Sequence, residues 1–221
     1  MERFVIQSET ALCRKKEGGF KKSLEQDIIA FYNSDYKGGG NWRIPGTIEN
    51  LICTLKNDVT PYLQQTLQNA VVRLVQILKA DLPDVLRLSG KRNLRVCVIP
   101  RAKRENSYRP NQLYLRGTIQ SVVQQLNGFI DGTHDIIRHT DTATTHLSRR
   151  GGNGGSGERP YVGITNDTCN ISNDVIGQDI LLVDDLYTKT VNIDEDCIQA
   201  LLDKGARSVI FYSIGKTLPR Y

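Results

Sequence analysis

The 221-residue chain has no long uninterrupted apolar run, and no basic start followed by an apolar stretch and a cleavage site. The first absence argues against a membrane-spanning helix and a membrane partner. The second argues against a secretory leader, so a cytoplasmic setting is the expectation. None of the five cysteines (Cys13, Cys53, Cys97, Cys169, Cys197) forms a CxxC pair. Cys53, Cys97 and Cys197 fall in apolar patterns, which reads as buried reduced thiols rather than metal ligands. His134, His139 and His146 have no carboxylate or cysteine set converging on them, so a histidine metal centre is not expected. Charge of one sign does not dominate either: 29 basic residues against 24 acidic give +5. That suits a phosphate-rich ligand but is too mild to imply nucleic acid by itself. There is no internal repeat.

What is present is an alternation of strands and helices. Residues 94–99 are apolar and close on Pro100. Residues 113–129 carry Ile119, Val122, Val123 and Leu126 at helical spacing. Residues 180–183 are β-branched and leucine-rich, as a parallel strand buried on both faces should be. Asn192 with Glu195 reads as an N-cap with a capping-box partner, and Asp194, Glu195 and Asp196 fill the first turn, where the helix dipole favours negative charge. Gly205 closes the helix, and residues 208–214 are the next strand. Short strands are expected at 4–6, 135–137 and 161–164. Upstream, residues 24–32 have helical spacing at Leu24, Ile28 and Phe31, and 45–56 form a second helix. Thr60–Pro61 starts a third, with Pro83 and Gly90 at its exit. The expected class is α/β, a mostly parallel sheet flanked by helices with ligands at the carboxyl ends of its strands.

The run VDDLYTKTVN at 183–192 resembles the phosphoribosyl-diphosphate (PRPP) signature of type I phosphoribosyltransferases: an apolar strand, two acids, then a hydroxyl-rich loop. The resemblance implies a phosphoribosyltransferase-like, Rossmann-type core. Asp184 and Asp185 would address the ribose hydroxyls as the catalytic pair and hold Mg²⁺ through its bound water. Thr188, Lys189, Thr190, Val191 and Asn192 would cradle the 5′-phosphate. Thr190 stands where the family has glycine and Asn192 where it has threonine. A generic α/β turn with a solvated acidic pair is the bland alternative.

The loop after the strand at 94–99 carries Arg101, Ala102, Lys103 and Arg104. Three cations at the carboxyl end of a parallel strand suit a pyrophosphate, and the family binds pyrophosphate at this place, so Arg101, Ala102 and Lys103 complete the implied PRPP site. Residues 138–160 are polar and glycine-rich, a composition that does not bury enough to order itself. The resemblance implies a mobile flap there, with His146, Arg149 and Arg150 reaching the leaving group; a surface linker is the alternative. Residues 95–216 are also similar to competence-associated phosphoribosyltransferase-like proteins, with TTHLSR at 144–149 as the local match. On this reading residues 1–90 form a largely helical hood that selects the acceptor, and 91–221 form the core. The implied activity is an Mg²⁺-dependent glycosyltransferase of nucleotide metabolism, moving ribose 5-phosphate from PRPP to a nitrogen nucleophile. The rival is a non-catalytic protein of the same fold that senses a nucleotide or acts in DNA handling. A nucleic-acid module built on Arg149, Arg150 and residues 101–104 has no aromatic stacking pattern behind it.

Overall fold

A computed structural model describes residues 1–14, 20–58, 61–142, 164, 167–189 and 191–218, with backbone alone for 12–14 and 20–22. The chain opens with β1 (Glu2–Ile6), the antiparallel pair β2 (Leu12–Arg14) and β3 (Phe20–Lys22), and β4 (Ile28–Tyr36). Two helices follow, α1 (Ile48–Lys56) and α2 (Gln64–Ser89), then β5 (Leu94–Val98), α3 (Tyr114–Val123) and β6 (Phe129–Asp131). A two-stranded antiparallel ribbon joins β7 (Ile136–Arg138) to β8 (Cys169–Ile171). The chain continues through β9 (Asp179–Tyr187), α4 (Ile193–Asp203) and β10 (Ser208–Thr217).

Six strands form the central sheet in the order β1-β4-β10-β9-β5-β6, and every neighbouring pair but β1–β4 is parallel. The fold is α/β, with a mostly parallel sheet flanked by helices. Alternate residues of the central strands serve opposite faces. Leu181, Val183, Ile210 and Tyr212 pack under α1, α2 and α3, while Ile180, Leu182, Val209 and Phe211 pack with α4. Burial on both faces explains why these strands read as continuous apolar runs. The β5–β6 crossover runs through α3 on one face and the β9–β10 crossover through α4 on the other. Right-handed crossovers that leave in opposite directions must do this. The strand order therefore reverses between β5 and β9, and a crevice opens at their carboxyl ends.

Several expectations need correction. Residues 28–36 are a strand, not a helix: β4 pairs with β10 on one side and β1 on the other, so both edges of its backbone are satisfied. The segment expected as a hood supplies two strands to the sheet and two helices to its face. Of the two residues expected at the exit of α2, Gly90 closes the helix with a φ of 67°, whereas Pro83 lies inside it. An interior proline costs about 3 kcal/mol. The flanking Leu82 and Val85, both fully buried, offset that cost. α2 also begins at Gln64, later than Pro61. α3 stops at Val123, and Gly128 (φ 83°) turns the chain into β6; a Cβ there would lie 2.5 Å from Leu86 Cδ2. The expected strand at 161–164 lies outside the described residues except for Ile164. The end of α4 is as the sequence suggests. Gly205 N–H donates to Leu202 O and Ala206 N–H to Leu201 O, the paired bonds of a glycine-terminated helix.

Candidate ligand site at the strand-order switch

β9 delivers Asp184 and Asp185 to the crevice, and because successive strand residues point to opposite faces, the two carboxylates part. Asp185 turns toward α1, where Lys56 Nζ lies 2.9 Å from its Oδ2. Asp184 turns toward Asp194 at the start of α4, and its Oδ1 also accepts the Asp185 amide at 2.7 Å. Burial, then the Asp185 charge, pushes the Asp184 carboxyl up to about 7. Burial and the facing Asp184 hold Asp194 well above the ordinary range too. Glu195 is also buried and raised, mainly by desolvation, and accepts the Tyr187 hydroxyl at 2.8 Å. Burial alone would lower the Lys56 ammonium. The carboxylates of Asp185 and Asp184 reverse that and keep it protonated.

The basic loop after β5 is anchored rather than loose. The Arg101 guanidinium donates to the carbonyls of Lys56 (3.0 Å) and Gln112 (2.7 Å), pairs with Asp58, and lies 4.3 Å over the Tyr108 ring. Ala102 O accepts from the Thr142 amide and hydroxyl. Lys103 N–H donates to Tyr108 Oη, and Arg104 N–H to Asp141. The loop is thus fastened both to the end of α1 and to residues 141–142.

Among the described residues, one pocket brings together Asp185, Lys56, Arg101 and Lys103. Arg116 and Arg138 line it too, with Leu55, Val98, Ile99 and Leu115 among the apolar walls. Asp184 is turned away to the α4 face. The 188–192 loop adjoins the start of α4. Val191 N–H closes a turn onto Thr188 O at 3.0 Å, and Thr188 Oγ1 accepts the Thr217 hydroxyl at 2.9 Å. Asn192 takes a left-handed conformation (φ 58°) and makes no side-chain cap, so the capping-box expectation is corrected. Its carbonyl accepts the Asp196 amide instead. Lys189 is exposed. Thr190, His146, Arg149 and Arg150 lie outside the described residues. The strands flanking the expected flap at 138–160 pair with each other, Arg138 opposite Cys169, and Thr168 O accepts from the amides of His139 and Thr140.

The sequence reading missed Lys56, Arg116 and Arg138. Arg138 had a usable signal, since Ile136 and Arg138 alternate with Ile137 in a short strand. Lys56 and Arg116 had none beyond helix position. No group of three or more His, Cys, Asp or Glu side chains forms a metal cage among the described residues, and no described helix is long and apolar enough to cross a membrane. No family model matches the chain, and neither does any curated protein.

Proposed function

We propose that the protein is a phosphoribosyltransferase that moves ribose 5-phosphate from PRPP to a nitrogen nucleophile and releases pyrophosphate. The observation that carries this reading is that Asp185 and the cationic loop after β5 line one pocket at the strand-order switch, where open α/β sheets bind ligands. The position of β7 adds support, because it leads into the segment expected as the flap and carries Arg138 to that pocket.

In the reaction the bond from C1 to pyrophosphate breaks as a C1–N bond forms, through a cation-like transition state. The protein's part is positioning and charge complementarity. Asp185 holds the ribose hydroxyls from the pocket side and Asp184 supports it through its hydrogen bond to the Asp185 amide. Lys103 meets the pyrophosphate, while Arg101 keeps the loop in place from its anchored position. Thr188, Lys189, Val191 and Asn192 meet the 5′-phosphate. Of the two acids expected to hold Mg²⁺, only Asp185 faces the pocket, and it would hold the ion through water, since Mg²⁺ can be bound by one carboxylate plus substrate phosphates rather than an all-protein cage; Asp184 faces α4 and does not share it. The metal supplies charge neutralisation of the departing pyrophosphate. Lys56 occupies Asp185 and must yield to it.

Titration calorimetry with PRPP and Mg²⁺ tests the site. The double variant Asp184→Asn/Asp185→Asn should lose binding, by a hundredfold or more, while keeping its circular dichroism. Equal affinity would reject the assignment. The Lys56–Asp185 ion pair and the anchored Arg101 favour a second reading, a non-catalytic nucleotide sensor of the same fold. It is selected if PRPP binds but no amine or base yields pyrophosphate.

A further inference from the structure

Among the described residues, five cationic side chains and two carboxylates line the pocket. Most of that charge is matched on site: Lys56 by Asp185, Arg101 by Asp58, Arg116 by Glu105 at 3.0 Å. Arg138 has no carboxylate against it among the described residues. It is 6 % exposed. Its Nε donates to Arg101 O at 2.6 Å, and its Nη1 is buried without a hydrogen-bond partner among the described residues. Across the ribbon sits Cys169, whose thiol burial holds protonated, so it supplies no counter-charge.

A guanidinium stays charged at any physiological pH, and burying one without an anion costs several kcal/mol. The partner that would satisfy it is an oxyanion approaching from the pocket. The remaining walls set the rest of that ligand's character. Leu55, Val98, Ile99, Leu113 and Leu115 offer apolar contact to a ring-sized body. We infer that Arg138 is the anchor of a subsite for a compact apolar or aromatic molecule bearing one carboxylate or phosphate. This rests on the transferase reading only for the ligand's role, which is then that of the nitrogen acceptor. A carboxylate-bearing or phosphate-bearing heterocycle is the substrate class, and an uncharged base is disfavoured.

Benzoate, phenyl phosphate, benzamide, inorganic phosphate and pyrophosphate are the probes, titrated by calorimetry into the full chain and into Arg138→Met and Arg138→Lys. Benzoate or phenyl phosphate should bind wild type, whichever the site prefers, and lose at least tenfold in Arg138→Met, with Arg138→Lys between. Benzamide should bind at least tenfold more weakly than the preferred anion. A structural arginine would behave differently from a ligand anchor in the absence of ligand. Arg138→Met should melt at or above wild type, because it removes an uncompensated buried charge. Melting below wild type, or failure to fold, would make Arg138 structural and overturn the inference. So would aromatic anions that bind Arg138→Met as well as wild type. Loss confined to pyrophosphate and inorganic phosphate would overturn it too, by making Arg138 a leaving-group contact. If PRPP fails to bind while the aromatic anions depend on Arg138, the transferase reading falls and the subsite stands.

Discussion

At the scale of single residues, the acidic pair was visible in the sequence and its division was not recognised. Two adjacent acids at a strand end must face opposite ways, and that geometry was already implicit in VDD. What no local pattern could reveal is what each would meet: Lys56, more than a hundred positions earlier, and Asp194 on the next helix. The Asp184 carboxyl has a testable consequence. In the unfolded chain it titrates in the ordinary range, near 4; in the fold, burial and Asp185 lift it to about 7. The folded state therefore binds the proton more tightly. The stability this confers is complete below pH ~4 and is lost as pH rises toward 7. Wild type should lose on the order of 1–3 kcal/mol across that window, shared with Asp194. Asp184→Asn should flatten the slope of urea midpoints against pH. An unchanged slope would show that Asp184 is ionised throughout.

Asp131 titrates in the opposite sense. Burial alone would raise it, but hydrogen bonds from Gln120, Gln124 and both the amide and hydroxyl of Thr133 outweigh that and bring it to about 2. Its contribution is present above pH ~4 and lost as pH falls toward 2. Asp131→Asn should therefore destabilise the protein at neutral pH by roughly 1–2 kcal/mol, with the deficit closing in acid.

At the scale of elements, the strand–helix–strand unit over 178–217 was legible because three signals agree there: a buried apolar run, an acidic first turn and a terminal glycine. β4 was not. Leu24, Ile28 and Phe31 fit a helix by spacing, yet Ile28, Ala30 and Tyr32 also alternate as a strand. The partners that decide between the two, β1 and β10, lie outside any local window. α1 is short and carries Lys56 and the carbonyl that holds Arg101, so its integrity bears on the site. Thr47 Oγ1 accepts the Asn50 amide at 3.1 Å and caps it. Thr47→Ala should cost about 1 kcal/mol, a fall in Tm of about 2–4 °C, and should weaken ligand binding beyond what lost stability explains. Scanning calorimetry and the PRPP titration together check this.

At the scale of the whole molecule, the division into an N-terminal hood and a C-terminal core meets a sheet that both parts share. α1 and α2 cover one face over Leu181, Val183, Ile210 and Tyr212, and Tyr212 Oη donates to Asp81 of α2 at 2.7 Å inside the core. A fragment of residues 91–221 would expose that face and the β4-facing edge of β10. It should show no cooperative unfolding transition, whereas a separable core would keep one close to that of the full chain. The mostly parallel α/β class was legible from alternation alone. The strand order was not, because it depends on which edge the first ninety residues choose.

β10 is the last strand of the sheet in chain order, yet it lies between β4 and β9. During synthesis β4 leaves the ribosome early and then waits for most of the chain before its parallel neighbour exists. For that interval its inner edge offers unpaired amides and carbonyls to any other extended segment. Closing the sheet late, across so long a separation, makes for slow folding and a long-lived half-assembled chain. The nascent protein is thus vulnerable from the emergence of β4 until β10 is made, and its yield in a cell depends on whatever shelters β4 in that interval.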